Sequence, residues 1–187
     1  GDAVADLYCG NGAGLARWRR RGATACGVEL GGEALENAAV NGRGGKGTIF
    51  LWAGGNGGDV GDNSNYDGYA NAIQTIAIGA CDSSGDRSYY SEPGANVVVC
   101  APSNGVLGIT TVDRTGSNGY NTASSANGGD YTNDFGGTSS ATPTAAGIVA
   151  LMIEKNPNLG WRDVQEILIQ SAYKVQPSDS GWATNSG

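Results

Sequence analysis

Three short apolar runs, each followed by a glycine-rich or polar segment, constrain the fold of this chain most strongly. Residues 48–53, 73–80 and 97–101 are rich in β-branched and other apolar side chains, which predicts buried strands. A weaker fourth strand is predicted over residues 106–112. Apolar residues then recur at helical spacing over residues 138–154, which predicts a helix that is buried nearly all round. Strands that alternate with helices predict an α/β fold with a parallel sheet flanked by helices.

Two further helices complete the predicted pattern. Helix-forming residues fill positions 34–41 before a run of glycines breaks the helix. Residues 161–173 have the spacing of an amphipathic helix, and Asn158, just after Pro157, is predicted to cap it. A chain of 187 residues suits one domain with a sizeable core rather than two full domains.

Charge and cysteine content narrow the function classes. The formal net charge of −7 at pH 7 disfavours nonspecific nucleic-acid binding and suits a basic substrate or a divalent cation, with simple solubility as the alternative. No apolar run is long enough to cross a membrane. The cysteines, which allow three disulfide pairings or free thiols, lack the paired spacing of a zinc site. They are Cys9, Cys26, Cys81 and Cys100.

The start of the predicted long helix carries the most specific motif, because residues 136–143 read GGTSSATP. A serine hydroxyl is a weak nucleophile at neutral pH, so it needs a sharp turn, a nearby base, and free N–H groups that favour developing negative charge. Ser139 is placed at a helix start that supplies such N–H groups. The alternative is an ordinary N-cap, in which serine or threonine serves only the helix end.

Two glycine-rich loops add polar side chains. Residues 53–58 read AGGNGG directly after a predicted strand, where the Asn56 amide can donate to an oxygen that becomes negative during acyl transfer. Residues 61–69 read GDNSNYDGY, and Glu92 follows a later tyrosine and serine. The alternatives are a left-handed Asn-Gly turn for the first loop and solvated acids for the second.

The GTSSATP string, followed by an Ala-Ala-Gly step, resembles the serine motif of subtilisin-like serine peptidases, and AGGNGG resembles the oxyanion loop of that family. The GDNSNYDGY segment is similar to the kexin/furin branch. The resemblance covers residues 33–187 and implies a partial subtilisin-like sheet. It implies that Ser139 is the nucleophile, that Asn56 is the oxyanion donor, and that Gly55 and Gly57 line the substrate site.

The same resemblance implies roles for three acids. Asp62 and Glu92 would ligate a structural calcium ion, which prefers several hard oxygen ligands. Asp67 would bind a basic P1 side chain, since a buried guanidinium needs a fixed carboxylate. The implied activity is endopeptidase cleavage of polypeptides after basic residues, in a protein that is secreted or tethered to a membrane.

The chain contains no histidine, although peptidases of this kind need an imidazole to accept the serine proton. The family carries its aspartate and histidine on the N-terminal side of the oxyanion loop. The resemblance therefore identifies residues 33–187 as the C-terminal part of a subtilisin-like domain. We expect the isolated chain not to hydrolyse peptides, and a non-catalytic remnant of the subtilisin fold is the alternative.

The first thirty residues indicate a different motif. Residues 4–14 read VADLYCGNGAG, which predicts a strand, a glycine loop and a helix. Such a loop lets a nucleotide-like ligand approach the backbone at its glycines, and an acid about twenty residues further on can hold the ribose hydroxyls. The residues in question are Gly10, Gly12, Gly14 and Glu29.

That glycine motif resembles the cofactor motif of class I S-adenosylmethionine methyltransferases. It implies a methyltransferase-like, Rossmann-like βαβ fragment over residues 1–32, ahead of the peptidase part. The second functional hypothesis is accordingly a methyltransferase fragment that binds S-adenosylmethionine. A strand, turn and helix without a ligand is the simpler interpretation of the same residues.

Overall fold

The computed structural model describes residues 32–122 and 129–183. The chain divides into two compact units, residues 1–48 and residues 49–187. The predicted strand, glycine loop and helix of the first thirty residues lie outside the described part.

Helix α1 is the described element of the first unit and spans Gly32–Gly45. It buries Leu35 and Ala39, which lie four residues apart and therefore on one face. Its backbone leaves helical φ/ψ values at Gly42, so the predicted break at the glycine run is confirmed. The Thr48 N–H then donates to the Ala38 carbonyl at 2.9 Å, which ties the chain after the helix back to its last turns.

A parallel three-stranded sheet forms the centre of the second unit. Its order is β1-β2-β3, and each pair is parallel. The middle strand is buried along nearly its whole length, as its run of small and β-branched residues predicts. The strands are β1 (Phe50–Ala53), β2 (Thr75–Cys81) and β3 (Val97–Pro102), close to the three predicted runs.

Two helices cover this sheet. Helix α2 (Thr138–Lys155) packs against all three strands, and helix α3 (Trp161–Ser171) packs against β3. The fold class is therefore α/β, with a parallel sheet flanked by helices, as predicted. The apolar core between these elements consists of Ile76, Ile78, Ala80, Tyr90, Ala101, Ala141, Ala145, Val149, Val164 and Leu168.

Helix α2 is not buried nearly all round, so that prediction was wrong. Ala141, Ala145 and Val149 face the sheet and are almost completely buried, whereas Ile148 is 51% and Leu151 is 65% exposed. A helix packed on one sheet buries only the stripe that faces it. No helix among the described residues combines the length and the apolar character that crossing a membrane requires.

A second, antiparallel sheet holds the fourth predicted strand. Strand β4 (Ile109–Val112) pairs with β5 (Tyr131–Phe135), which the sequence did not reveal because three consecutive polar residues separate its two aromatic side chains. In the loop after β4, the Asp113 carboxylate accepts hydrogen bonds from the N–H groups of Asn121 and Arg114. These bonds hold the pKa of the Asp113 carboxyl below its ordinary value.

Helix α3 begins differently from the prediction. Gly160, rather than Asn158, occupies the N-cap position. The Gly160 N–H donates to the Asp163 carboxylate at 2.7 Å, so the side chain of the third helical residue satisfies the N–H group of the N-cap residue. An acid in the first turn also interacts favourably with the helix dipole.

The two described cysteines are free thiols. Cys81 ends β2 and Cys100 lies on β3, and neither forms a disulfide. Burial raises the pKa of both thiols above the ordinary value, so both are protonated at neutral pH. Cys9 and Cys26 lie outside the described residues.

Candidate active site

The candidate site lies at the edge of the parallel sheet where the strands end. Because all three strands are parallel, their carboxyl ends meet at one edge, where ligand sites of α/β sheets commonly form. Asn56 follows β1, Asn104 follows β3, and the start of α2 reaches both of them through hydrogen bonds.

The Asn56 side chain is bonded directly to the first residue of α2. Its Oδ1 accepts the Thr138 N–H at 2.8 Å and the Thr138 hydroxyl at 3.0 Å. The Thr138 hydroxyl in turn accepts the Gly55 N–H at 3.2 Å. Thr138 is fully buried, so these bonds fix the glycine loop and the helix start relative to one another.

This pairing determines which way the Asn56 amide points. A backbone N–H can only donate, so the atom facing the Thr138 N–H must be the amide oxygen. The amide nitrogen, Nδ2, therefore points away from Thr138, and it has no acceptor among the described residues. Asn56 is exposed, so its N–H groups are available to an incoming oxygen atom.

Ser139 follows Thr138 and is exposed at the helix start. Neither its hydroxyl nor its backbone N–H has a hydrogen-bond partner in the part of the chain that the structure describes. Free N–H groups at a helix N-terminus favour negative charge. The site thus presents one hydroxyl beside two unused donors, the Ser139 N–H and Asn56 Nδ2, as acyl transfer through an oxyanion requires.

A glycine turn delivers Ser139 to this position. Gly137 is the N-cap of α2 and has φ 78° and ψ 173°, a region that residues other than glycine rarely enter. Gly136, just before it, has no space for a side chain, because a Cβ there would overlap the Asn104 amide. Both glycines of the GGTSSATP motif are therefore required by geometry.

The residues that support this turn from β3 were not predicted from the sequence. The Gly137 N–H donates to Asn104 Oδ1 at 2.7 Å, and the Gly137 carbonyl accepts the Ser103 hydroxyl at 2.7 Å. The Tyr90 hydroxyl approaches Asn104 Oδ1 at 2.6 Å. The available signal was position, since Asn104 follows β3 by two residues much as Asn56 follows β1 by three.

The two predicted calcium ligands both lie next to Gly57. The Gly57 N–H donates to Glu92 Oε1 at 2.8 Å. A Cβ on Gly57 would lie 3.1 Å from Asp62 Oδ2 and 3.3 Å from Glu92 Oε1, so both carboxylates are adjacent to one glycine. Gly55 has φ 104°, and a Cβ on it would overlap the Glu92 carboxylate.

This acid pair fits part of a calcium shell. Calcium takes six to eight oxygen ligands, and two carboxylates that face one glycine can supply some of them. Within residues 32–122 and 129–183, no group of three or more histidine, cysteine or acidic side chains is arranged to hold a metal ion. Asp62 and Glu92 therefore need oxygen ligands other than a third described acid.

Asp67 is exposed on the loop that follows Asp62. Its Oδ1 accepts the N–H groups of Tyr69 and Ala70, both at 2.8 Å, which fixes the orientation of the carboxylate. Its other oxygen has no protein partner among the described residues. The structure brings Asn56 and the Thr138–Ser139 step together, but it shows no hydrogen bond from Asp67 to that group.

The remaining predicted site residues lie outside the described part of the chain. They are Gly10, Gly12, Gly14 and Glu29, on which the S-adenosylmethionine hypothesis depends. None of the comparisons with known proteins supports a methyltransferase motif.

Comparison with a family model gives a match over most of the chain. The model described as the subtilase family matches residues 19–187. The match begins within residues 1–32, the range that the glycine motif led us to set apart. The boundary between that range and residues 33–187 stays a prediction.

Curated relatives include several proteases. The chain is 45% identical over 152 residues to a protein named calcium-dependent protease from Trichormus variabilis, covering 77% of this chain and 22% of that protein. It is 42% identical to a dibasic-processing endoprotease from Yarrowia lipolytica, covering 80% and 15%. It is 40% identical to human proprotein convertase subtilisin/kexin type 7, covering 84% and 19%. The chain therefore spans about a fifth of the length of these relatives.

Solved structures agree with the fold. The serine protease of Aeromonas sobria superposes with a TM-score of 0.72 at 25% identity, covering 79% of this chain and 30% of that one. A protease from Pseudoalteromonas arctica gives a TM-score of 0.60 at 26% identity, covering 81% and 42%. Together with the family match over residues 19–187 and the serine motif at the start of α2, these similarities show that the chain belongs to the subtilase family.

Proposed function

We propose that this chain carries the nucleophile and the oxyanion site of a serine endopeptidase that cleaves polypeptides after basic residues. The observation that carries the proposal is the pairing of Asn56 Oδ1 with Thr138, which leaves the amide nitrogen free beside the exposed Ser139. The protease names of the relatives support the reaction class, and the name of the Yarrowia relative supports basic residues in the substrate.

The proposed chemistry uses this chain's residues in two ways. The Ser139 Oγ attacks the scissile carbonyl carbon, and the carbonyl oxygen takes the electron pair and becomes negative. The Ser139 N–H and Asn56 Nδ2 stabilise that oxyanion, because they are already oriented before the reaction. The hydroxyl proton must pass to a base, and the chain has no histidine to accept it.

The missing base gives a direct test of the proposal. We expect a fluorophosphonate probe to label the 187-residue chain slowly without added base and faster with free imidazole. Imidazole takes the Ser139 proton while the oxygen binds phosphorus and fluoride leaves. The acceleration should increase through pH 7 as imidazole loses its proton. Peptide-resolved mass spectrometry should place the label on Ser139.

The control for that experiment is Ser139→Ala, which retains the fold and removes the nucleophile. Labelling that survives this substitution, or that imidazole does not accelerate, contradicts the proposed reaction. Such a result favours the alternative that the chain is a non-catalytic remnant of the subtilisin fold, for which the absence of histidine is the specific observation.

We propose further that Asp67 selects a basic P1 side chain. Its carboxylate is held by the Tyr69 and Ala70 N–H groups and retains one oxygen without a described protein partner. Peptidyl phosphonates with arginine or leucine at P1 should react with a preference for arginine. Asp67→Asn keeps the bonding oxygen but loses the charge, so the arginine-to-leucine rate ratio should fall about tenfold or more. Asp59→Asn, at another exposed acid eight positions earlier in the chain, should leave the ratio unchanged.

Calcium is the proposed cofactor, with Asp62 and Glu92 as ligands. The two carboxylates border Gly57 in the oxyanion loop, so a bound cation would hold that loop in place and offset their repulsion. Calcium at about one hundred times its Kd should raise Tm by roughly 5–10 °C in a calorimetric scan. Asp62→Asn and Glu92→Gln should each remove most of that rise, whereas Glu36→Gln on α1 should not. An equal rise in all variants contradicts these ligands.

The other functional hypotheses have less support. Binding of S-adenosylmethionine would require Gly10, Gly12, Gly14 and Glu29, none of which lies in the described part. Secretion or membrane tethering remains a prediction from the resemblance to the kexin/furin branch, and a polypeptide with a basic P1 residue remains the proposed partner.

A further inference from the structure

The backbone of Gly137 is held on both of its polar groups by residues that follow β3. The N–H donates to Asn104 Oδ1 at 2.7 Å, and the carbonyl accepts the Ser103 hydroxyl at 2.7 Å. Gly137 also has a φ of 78°, so its conformation has to be maintained by surrounding contacts. These two bonds hold Gly137 in that conformation, two residues before Ser139.

Each hydrogen-bond donor of this network can be given its own acceptor without conflict. The Tyr90 hydroxyl has one proton, which the shortest contact assigns to Asn104 Oδ1 at 2.6 Å. The Ser103 proton then goes to the Gly137 carbonyl, and the Ser140 hydroxyl donates to Ser103 Oγ at 2.6 Å. Asn104 Oδ1 thereby accepts two hydrogen bonds, one from Tyr90 and one from Gly137.

The hydroxyl-bearing residues of this network are buried. Tyr90 is 6%, Ser103 is 3% and Ser140 is 2% exposed. Leaving a buried polar group without its partner costs about 1–3 kcal/mol, so other arrangements of these hydrogen bonds are unfavourable. Gly136 adds a steric fit, because the Asn104 amide occupies the space where a Cβ at that position would lie.

Two consecutive N–H groups at the start of α2 are thus occupied by asparagine oxygens. Asn104 takes the Gly137 N–H, and Asn56 takes the Thr138 N–H. The next N–H, that of Ser139, is the first without an acceptor among the described residues. The Ser139 N–H is therefore the backbone donor that remains available to an oxyanion, because the Gly137 and Thr138 N–H groups are already bonded.

We propose that Asn104, oriented by Tyr90, is a positioning residue that aligns the Ser139 hydroxyl and N–H with Asn56 Nδ2. The inference rests on the proposed function, since it assigns a role to Asn104 in that same site. Asn104 touches no reacting atom and acts through the Gly137 peptide. Its loss should change the electrostatic surroundings of position 139 even where the fold persists.

A thiol introduced by Ser139→Cys reports those surroundings without requiring a histidine. A thiolate displaces iodide from iodoacetamide, so the pH dependence of alkylation gives the thiol pKa. Peptide-resolved mass spectrometry separates this thiol from the four native cysteines. A thiol at a helix start beside unused donors should have a pKa below the ordinary value of about 8.5.

In this background, Tyr90→Phe keeps the ring but releases Asn104. We expect the thiol pKa to rise and the alkylation rate at pH 7 to fall about two- to fivefold. Asn104→Ala should reach the upper end of that range. Tyr89→Phe is the matched control, because Tyr89 is 66% exposed and its hydroxyl has no partner among the described residues; it should change neither the thiol pKa nor the alkylation rate.

The outcomes separate the inference from the function it rests on. A lowered pKa that persists in both Tyr90→Phe and Asn104→Ala, with a reduced Tm, overturns positioning and leaves a purely stabilising network. A pKa that is ordinary already in the Ser139→Cys chain overturns the positioning role together with the proposed oxyanion site. A rise confined to the two network variants supports the inference.

Discussion

Replacing Asn56 with alanine is expected to slow imidazole-supported phosphonylation of Ser139 by about a hundred- to a thousandfold. The magnitude is that observed for the corresponding donor of a subtilisin and is carried over from that enzyme. The physical reason is that Asn56 Nδ2 stabilises charge that develops only in the transition state. Rates are to be measured from the time course of probe incorporation at saturating imidazole.

Stability has to be separated from chemistry in that experiment, because Asn56 also accepts two hydrogen bonds from Thr138. Asn56→Asp keeps an acceptor for both bonds but replaces the amide donor with a negative charge. We expect it to retain Tm and to lose at least as much rate as Asn56→Ala. Asn158→Ala, an exposed asparagine between α2 and α3, should behave like the parent. A fast Asn56→Asp variant would rule out the amide as the donor.

The second large effect is expected at Gly137. Gly137→Ala should lower Tm by roughly 3–10 °C, because a Cβ is strained by about 1–3 kcal/mol at φ 78° and ψ 173°. The new methyl group would also lie 3.2 Å from Asn56 Nδ2, so the oxyanion donor must move. Labelling of Ser139 should therefore fall further than the loss of stability alone explains. Both quantities can be followed by a thermal scan and by probe incorporation below Tm.

A second glycine of α2 provides a matched substitution that is expected to raise the stability of the chain rather than lower it. Gly147 lies inside α2, and a Cβ there would meet no atom within 4 Å. Gly147→Ala should thus stabilise the chain by about 0.5–1 kcal/mol, since alanine favours the helix over glycine. Equal losses from both glycine substitutions would contradict the assignment of strain to Gly137.

The sequence predicted the central strands and the helices better than it predicted how far each helix is buried. The three parallel strands were identifiable because buried strands of a parallel sheet are continuous apolar runs. The exposed face of α2 was not, since Ile148 and Leu151 read as core residues and periodicity does not reveal how many layers cover a helix. Strand β5 was not predicted because three consecutive polar residues separate its two aromatic side chains, and the two-stranded sheet leaves all of its residues except Thr132 exposed.

The candidate site shows the same division. Asn56 and Ser139 were identifiable, because each lies in a glycine-rich motif with a specific chemical demand. Asn104 was not, because its segment Pro-Ser-Asn-Gly reads as an ordinary turn. Its role depends on which side chains meet across 33 residues of sequence, and local spacing carries no information about that distance.

The bond between Asn56 and Thr138 joins residues 82 positions apart, with two strands of the central sheet formed by the chain between them. Such a long-range contact closes only after the intervening segments have ordered, and chains dominated by long-range contacts fold slowly. Reactivity at position 139 should consequently appear with the last phase of refolding. This reactivity would then measure the completion of the native structure more strictly than helix content does, because helices form locally and early.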